Sequence, residues 1–131
     1  MTRSTLIPIV LAVAVVSPTA TAGAAIKNPQ PAAAMKRAVA EYADHGIDQK
    51  RVKPSAARFT CTAIPKVNDR GTCTGTFALS YSGRTATYKL TRKATTFRIS
   101  KGAIEYHLNA VATTRAAGLP AHIGTFAGFY Q

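Results

Sequence analysis

The chain has 131 residues, with 17 lysines and arginines against five acids, for a net charge of +12. Such an imbalance excludes a charge-neutral surface and makes a polyanion the class of partner the chain attracts. Two cysteines, no tryptophan and no apolar run of bilayer length exclude a disulfide-dense miniprotein and a membrane-spanning helix.

Residues 1–24 have the layout of a secretory signal peptide. Arg3 gives a basic start, and Leu6 to Val16 is an almost unbroken apolar run. Ala20-Thr21-Ala22 and Ala22-Gly23-Ala24 are overlapping small-x-small sites, so cleavage is expected after Ala22 or Ala24. The apolar run is about half the ~20 residues a span requires. No cysteine follows either site to carry an acyl anchor. The expected location is secreted or at the cell envelope. The leader carries off only one charged residue, Arg3, so the mature chain stays strongly basic.

Residues 25–31, with Pro29 and Pro31, read as a linker. Residues 32–120 read as a single domain and 121–131 as a C-terminal tail or edge strand. A helix is expected over 32–45. Met35, Ala38, Val39, Tyr42 and Ala43 form its apolar stripe. Pro31 suits the first helical position, and Gly46 supplies the stop. Arg37 and Glu41 are spaced for an i,i+4 contact, and His45 complements the helix dipole in the last turn. Residues 47–57, with Lys50, Arg51 and Lys53, read as a basic surface connection.

From Arg58 the period changes to two. Phe59, Cys61 and Ala63 alternate with Arg58, Thr60 and Thr62. Cys73, Phe77, Leu79 and Tyr81 alternate with a series of threonines. Large apolar groups on one face and β-branched threonine on the other describe half-covered antiparallel strands. A turn at Ser82-Gly83 sets Leu79 opposite Ala86, Phe77 opposite Tyr88 and Gly75 opposite Leu90. A second turn at Lys101-Gly102 sets Ile99 opposite Ile104 and Phe97 opposite Tyr106. The phase between Leu90 and Phe97 does not match, which predicts a bulge or break near Arg92–Thr95. Residues 103–113 fit a strand better than a helix, because Asn, Thr and Tyr fill helices poorly. Cys61 and Cys73, in an exported chain, are expected to form one disulfide. They are not expected to bind metal, because nearby histidines are missing.

The fold class expected is α+β: an N-terminal helix packed on a four- to five-stranded antiparallel β-meander. No phosphate loop, nucleophile elbow or metal-binding histidine pair is present, and no cofactor or metal is expected. Glu105 and His107 are the closest acid–imidazole pair. With Arg98 expected opposite Glu105 and Thr96 opposite His107, they could act as base, acid and phosphate clamp. The plainer reading is a cross-strand ion pair. Lys89, Arg92, Lys93, Arg98 and Lys101 form the most basic section and are the candidate polyanion contacts. Tyr88, Phe97 and Tyr106 are expected to face inward, which argues against base stacking on that surface. The loop 64–70, braced by the disulfide, could serve as an inhibitor's reactive loop.

The export signal, the helix, Phe59-Thr60-Cys61-Thr62-Ala63, Cys73 and Gly118-Leu119-Pro120 resemble small secreted α+β proteins of actinobacteria that have no characterised role. The resemblance implies the fold and brings no activity. Some of those proteins place one cysteine before the sheet, unlike this chain. The expected function is therefore non-enzymatic binding to an anionic cell-wall polymer, a lipid surface or an acidic protein. Nucleic acid ranks lower as a partner. A ribonuclease-like hydrolase using Glu105 and His107, and an inhibitor using loop 64–70, are the alternatives.

Overall fold

A computed structural model describes residues 30–47 and 51–131. The leader expected at 1–24 and residues 25–29 of the linker lie outside the described residues.

Helix α1 spans Pro31–Glu41, and its continuation Tyr42–Gly46 widens to i→i+5 spacing before the chain turns. Proline sits at its first position, where a missing N–H costs no helical bond. Ala34, Met35, Ala38, Val39 and Ala43 are buried, so the 3-4-3 rhythm is the face laid on the sheet. Arg37 and Glu41 meet at 3.1 Å on the exposed side, a contact of small energetic consequence.

Six strands follow, all paired antiparallel: β1 Lys53–Cys61, β2 Arg70–Tyr81, β3 Arg84–Leu90, β4 Thr95–Ser100, β5 Ala103–Thr114 and β6 His122–Tyr130. Six exceeds the expected four to five. The sixth is β6, over the stretch expected to be a tail or edge strand, and the order departs from a simple meander because β3 and β4 lie end to end along the same two neighbours. Both pair with β2 on one side and with β5 on the other. The break between them is the turn Thr91–Ala94, closed by the Ala94 N–H donating to the Thr91 carbonyl at 3.0 Å. It falls where an interruption was expected, but not for the expected reason: Phe97 faces outward, and Leu90, Ala94 and Thr96 keep one inward phase across the turn.

The first hairpin keeps its expected register, with Phe77 opposite Tyr88 and Leu79 opposite Ala86. The ladder stops at Thr76–Lys89, and Gly75 lies opposite Phe59 of β1. A side chain at Gly75, whose φ is +145°, would strike the Arg58 carbonyl and the Phe59 ring. Glycine is therefore what lets β1 lie close to β2 there. β1 also starts earlier than expected: Lys53, Pro54 and Ser55 pair with Ser80, Leu79 and Ala78. Proline is tolerated because this is an edge strand, and a bulge before Arg58 absorbs Ala56 at φ 52°.

The second hairpin is a correction. Phe97 lies opposite Glu105, not Tyr106, and Thr96 lies opposite Tyr106, not His107. Arg98 lies opposite Ile104, with an irregularity at Ile99. The faces of β4 are thereby exchanged. Ala94 and Thr96 are fully buried, while Phe97 turns to the other face. Tyr106, Leu108 and Met35 already fill the interior beneath β4, and only small side chains fit between them. The buried Thr96 hydroxyl has no hydrogen-bond partner. Thr96→Val keeps the shape and removes the orphaned group, so it should stabilise the fold by about 1 kcal/mol. A thermal melt that falls would show that the hydroxyl has a partner in solution.

The core lies between α1 and one face of the sheet. Phe77 and Tyr88 stack at 5.1 Å, and Tyr42 meets Phe126 edge-on at 5.4 Å. The Tyr88 hydroxyl donates to the Pro120 carbonyl at 2.7 Å, tying the β5–β6 connection to the core. Burial, with a smaller effect of the nearby Tyr42, pushes the Tyr88 phenol up to about 12. Cys61 and Cys73 face each other at the end of the β1–β2 ladder and are bonded.

Candidate polyanion-binding face

No described element covers the second face of the sheet. Alternation places on it the threonines of β2 and β3 and most of the strand cations. One row crosses five strands in register: Arg58–Thr76–Lys89–Val111–His122. All five residues are exposed. Another row runs Arg70–Phe97–Glu105–Phe129. The third, between them, runs Thr72–Thr95–His107–Ala127. Glu105 is the single carboxylate within the six strands, so the field over this face is positive.

Glu105 and His107 are two apart on β5 and therefore point the same way. The His107 Nε2 lies 3.0 Å from Glu105 Oε2, and both side chains are partly exposed. They line a depression of about 300 Å³ with Arg70, Thr95 and Phe97. The Arg70 guanidinium lies 5.8 Å from the centre of the Phe97 ring, within cation–π range. Arginine does border the pair, then, but it is Arg70 and not the expected Arg98. Arg98 Nη1 instead donates to the Ile64 carbonyl at 3.3 Å and reaches the Pro65 carbonyl at 3.5 Å. It fastens the disulfide-braced loop to β4. Backbone bonds Asn68 N–H to Arg98 O and Arg98 N–H to Asp69 O complete that attachment.

A second depression, of about 430 Å³, adjoins the first along β5. It is lined by Arg92, Lys93, Asn109, His122 and Thr125, among others. Asn109 is only 6% exposed, and its side chain forms the floor. Its Nδ2 donates to the Lys93 carbonyl and its Oδ1 accepts from the Thr125 hydroxyl, both at 3.3 Å. Its carbonyl takes the Thr91 N–H at 3.0 Å. These bonds hold the Thr91–Ala94 turn and the two exposed cations Arg92 and Lys93 against the sheet.

The expected basic patch is thus divided. Lys89, Arg92 and Lys93 belong to this face. Lys101 sits on the β4–β5 turn, at the opposite end of β4 from Lys93, roughly 20 Å away by strand rise. Arg98 turns to the loop. Arg58, Arg70 and His122 join the face from β1, β2 and β6. The β1 alternation already puts Arg58 on the polar side, whereas only tertiary pairing brings Arg70 and His122 there, and nothing in their local sequence marks those two. Asn109 carried a local signal: it is the one amide in an apolar–polar alternating strand.

Among the described residues no group of three or more acidic, histidine or cysteine side chains could hold a metal ion, and no helix is long and apolar enough to cross a membrane. No protein-family model matches the chain, and no curated protein or solved structure is found to be similar to it.

Proposed function

We propose that the chain is an exported binding domain that holds an anionic polymer or surface against the uncovered face of its sheet. The observation that supports this reading is the in-register row Arg58–Thr76–Lys89–Val111–His122, backed by Arg92 and Lys93, with one carboxylate in all six strands. The strands fix the spacing of the backbone positions that carry these cations, so only side-chain freedom is lost when a polymer settles on them. Anionic wall polymer, anionic lipid and acidic protein all carry the required charge. The contact is electrostatic and therefore weakens with salt.

Retention on heparin resin at low salt tests the reading. Lys89→Ala and Lys93→Ala should each flatten the slope of log affinity against log salt by about 0.7–0.9. Lys101→Ala, remote from the face, should leave the slope unchanged. Absence of retention at low salt, or an equal effect of Lys101→Ala, counts against the face.

A second reading is favoured by the 3.0 Å contact of His107 with Glu105 beside Arg70. In a ribonuclease-like reaction Glu105 would orient the imidazole, His107 would take the proton of a ribose 2′-hydroxyl, and Arg70 would hold the phosphate. The 2′-oxygen would attack phosphorus, and the proton would pass to the departing 5′-oxygen. His107→Ala should then abolish RNA cleavage, by at least about 100-fold. Equal cleavage by both proteins, at the level of buffer alone, removes the reading.

A further inference from the structure

We infer that the polymer fitted by the uncovered face is a single-stranded nucleic acid, with bases stacked on Phe97 and Phe129 and phosphates set along Arg70, Lys89 and Lys93. This rests on the polyanion reading above and narrows it. The register correction in β4 is what brings the aromatic rings into play. Phe97 comes to the cationic face when β4 exchanges its sides, and Phe129 of β6 is 63% exposed on the same face. Phe129 ends the register row, with Glu105 between it and the Phe97 ring, and neither ring is among the residues packed against the core.

The two rings stand on either side of Glu105, two strands apart. That separation is about 9.5 Å from inter-strand spacing. It leaves room for two unpaired bases, one on each ring, and for a carboxylate between them that accepts hydrogen bonds from base amino groups. The Arg70 guanidinium lies over the half-buried Phe97 ring, so a base there stacks on the layer that ring and guanidinium make together and carries its phosphate toward the cation. Along β5 the face continues from Glu105 past His107 and Asn109 to Val111. The track is roughly 20 Å long by strand rise and ends at the turn that bears Arg92 and Lys93. Alternating rings and cations on an open sheet suit a flexible strand with separated bases. A simple polyphosphate would use the cations and leave both rings idle, and a duplex hides its bases from them.

The test is fluorescence anisotropy at low salt with a labelled 12-nucleotide deoxyadenylate strand, which lacks the 2′-hydroxyl and so separates binding from cleavage. Inorganic polyphosphate and the deoxyadenylate–thymidylate duplex serve as competitors. Phe129→Ala, at an exposed position, should weaken the strand at least about 5-fold, and the Phe97→Ala/Phe129→Ala pair about 25-fold or more. Neither should change the competition by polyphosphate. Lys89→Glu should weaken strand and polyphosphate alike. If Phe129→Ala and the double variant bind the strand as the native chain does, or if the duplex competes as well as the strand, the inference is overturned while the polyanion reading stands. If neither strand nor polyphosphate binds at low salt, both fall together.

Discussion

Phe77→Ala should cost about 3–5 kcal/mol, a large part of the stability a small domain possesses. Phe77 is 2% exposed. It stacks on Tyr88 at 5.1 Å and meets Phe59 edge-on at 6.2 Å. It sits on the central strand β2, with β1 on one side and β3 on the other. Neighbours held on both sides cannot close the space the ring leaves, so most of the cavity would persist. Phe129→Ala removes the same ring from an exposed site and should change stability by less than about 0.5 kcal/mol. Urea unfolding of the two variants measures the difference. Comparable losses from both would mean that the two faces have been assigned the wrong way round.

Removing the disulfide is the next largest effect. The Cys61→Ala/Cys73→Ala pair should lose about 3 kcal/mol, because the bond closes a short loop in the unfolded chain. For a domain of this size that is a fall in melting temperature on the order of 10–20 °C. Cys73 is buried and Cys61 partly so, and alanine avoids leaving a buried hydroxyl in place of sulfur. A scan of the native chain with and without reductant should reproduce the shift. Identical melts would show that the thiols are not joined in the folded protein. Loop 62–69 should still hold its place after reduction, because Arg98 and the backbone bonds of Asn68 and Asp69 tie it to β4 independently.

Much of the fold was legible from local signals. The α1 stripe, the Ser82-Gly83 register and the strand at 103–114 each follow from periodicity or turn chemistry; the break before Thr95 falls where expected, but the phase mismatch that predicted it depends on Phe97 facing inward, and it faces out. The second hairpin was misread for a definite reason. Phe97 and Ile99 read as core along the strand because they are large and apolar, yet the space under β4 is filled from β5 and α1. Volume supplied by other elements is invisible along the strand itself. The start of β1 was missed because Lys53 and Pro54 lack strand character. Their pairing comes from β2.

The candidate face was legible only in part. Lys89, Arg92 and Lys93 were picked out by charge density, and the Glu105–His107 pair by spacing. Arg98 was assigned to that pair through the faulty hairpin register, and Arg70 takes its place from a strand 35 positions earlier in the sequence than Glu105. Rows such as Arg70–Phe97–Glu105–Phe129 combine four strands, and an error of one residue in any strand rewrites the row.

The outermost strand, β6, has a wider consequence. Its only partner among the described strands is β5, and the stretch His122–Tyr130 contains no lysine, arginine, aspartate or glutamate. β1, at the other rim, is guarded by Lys53, Pro54 and a bulge. Among the described residues nothing pairs with its outer side, and an uncharged rim of this kind is a template: unpaired amide and carbonyl groups there invite an extended segment to zip alongside. Self-association of this protein should therefore begin at β6, and the net charge of +12 opposes it.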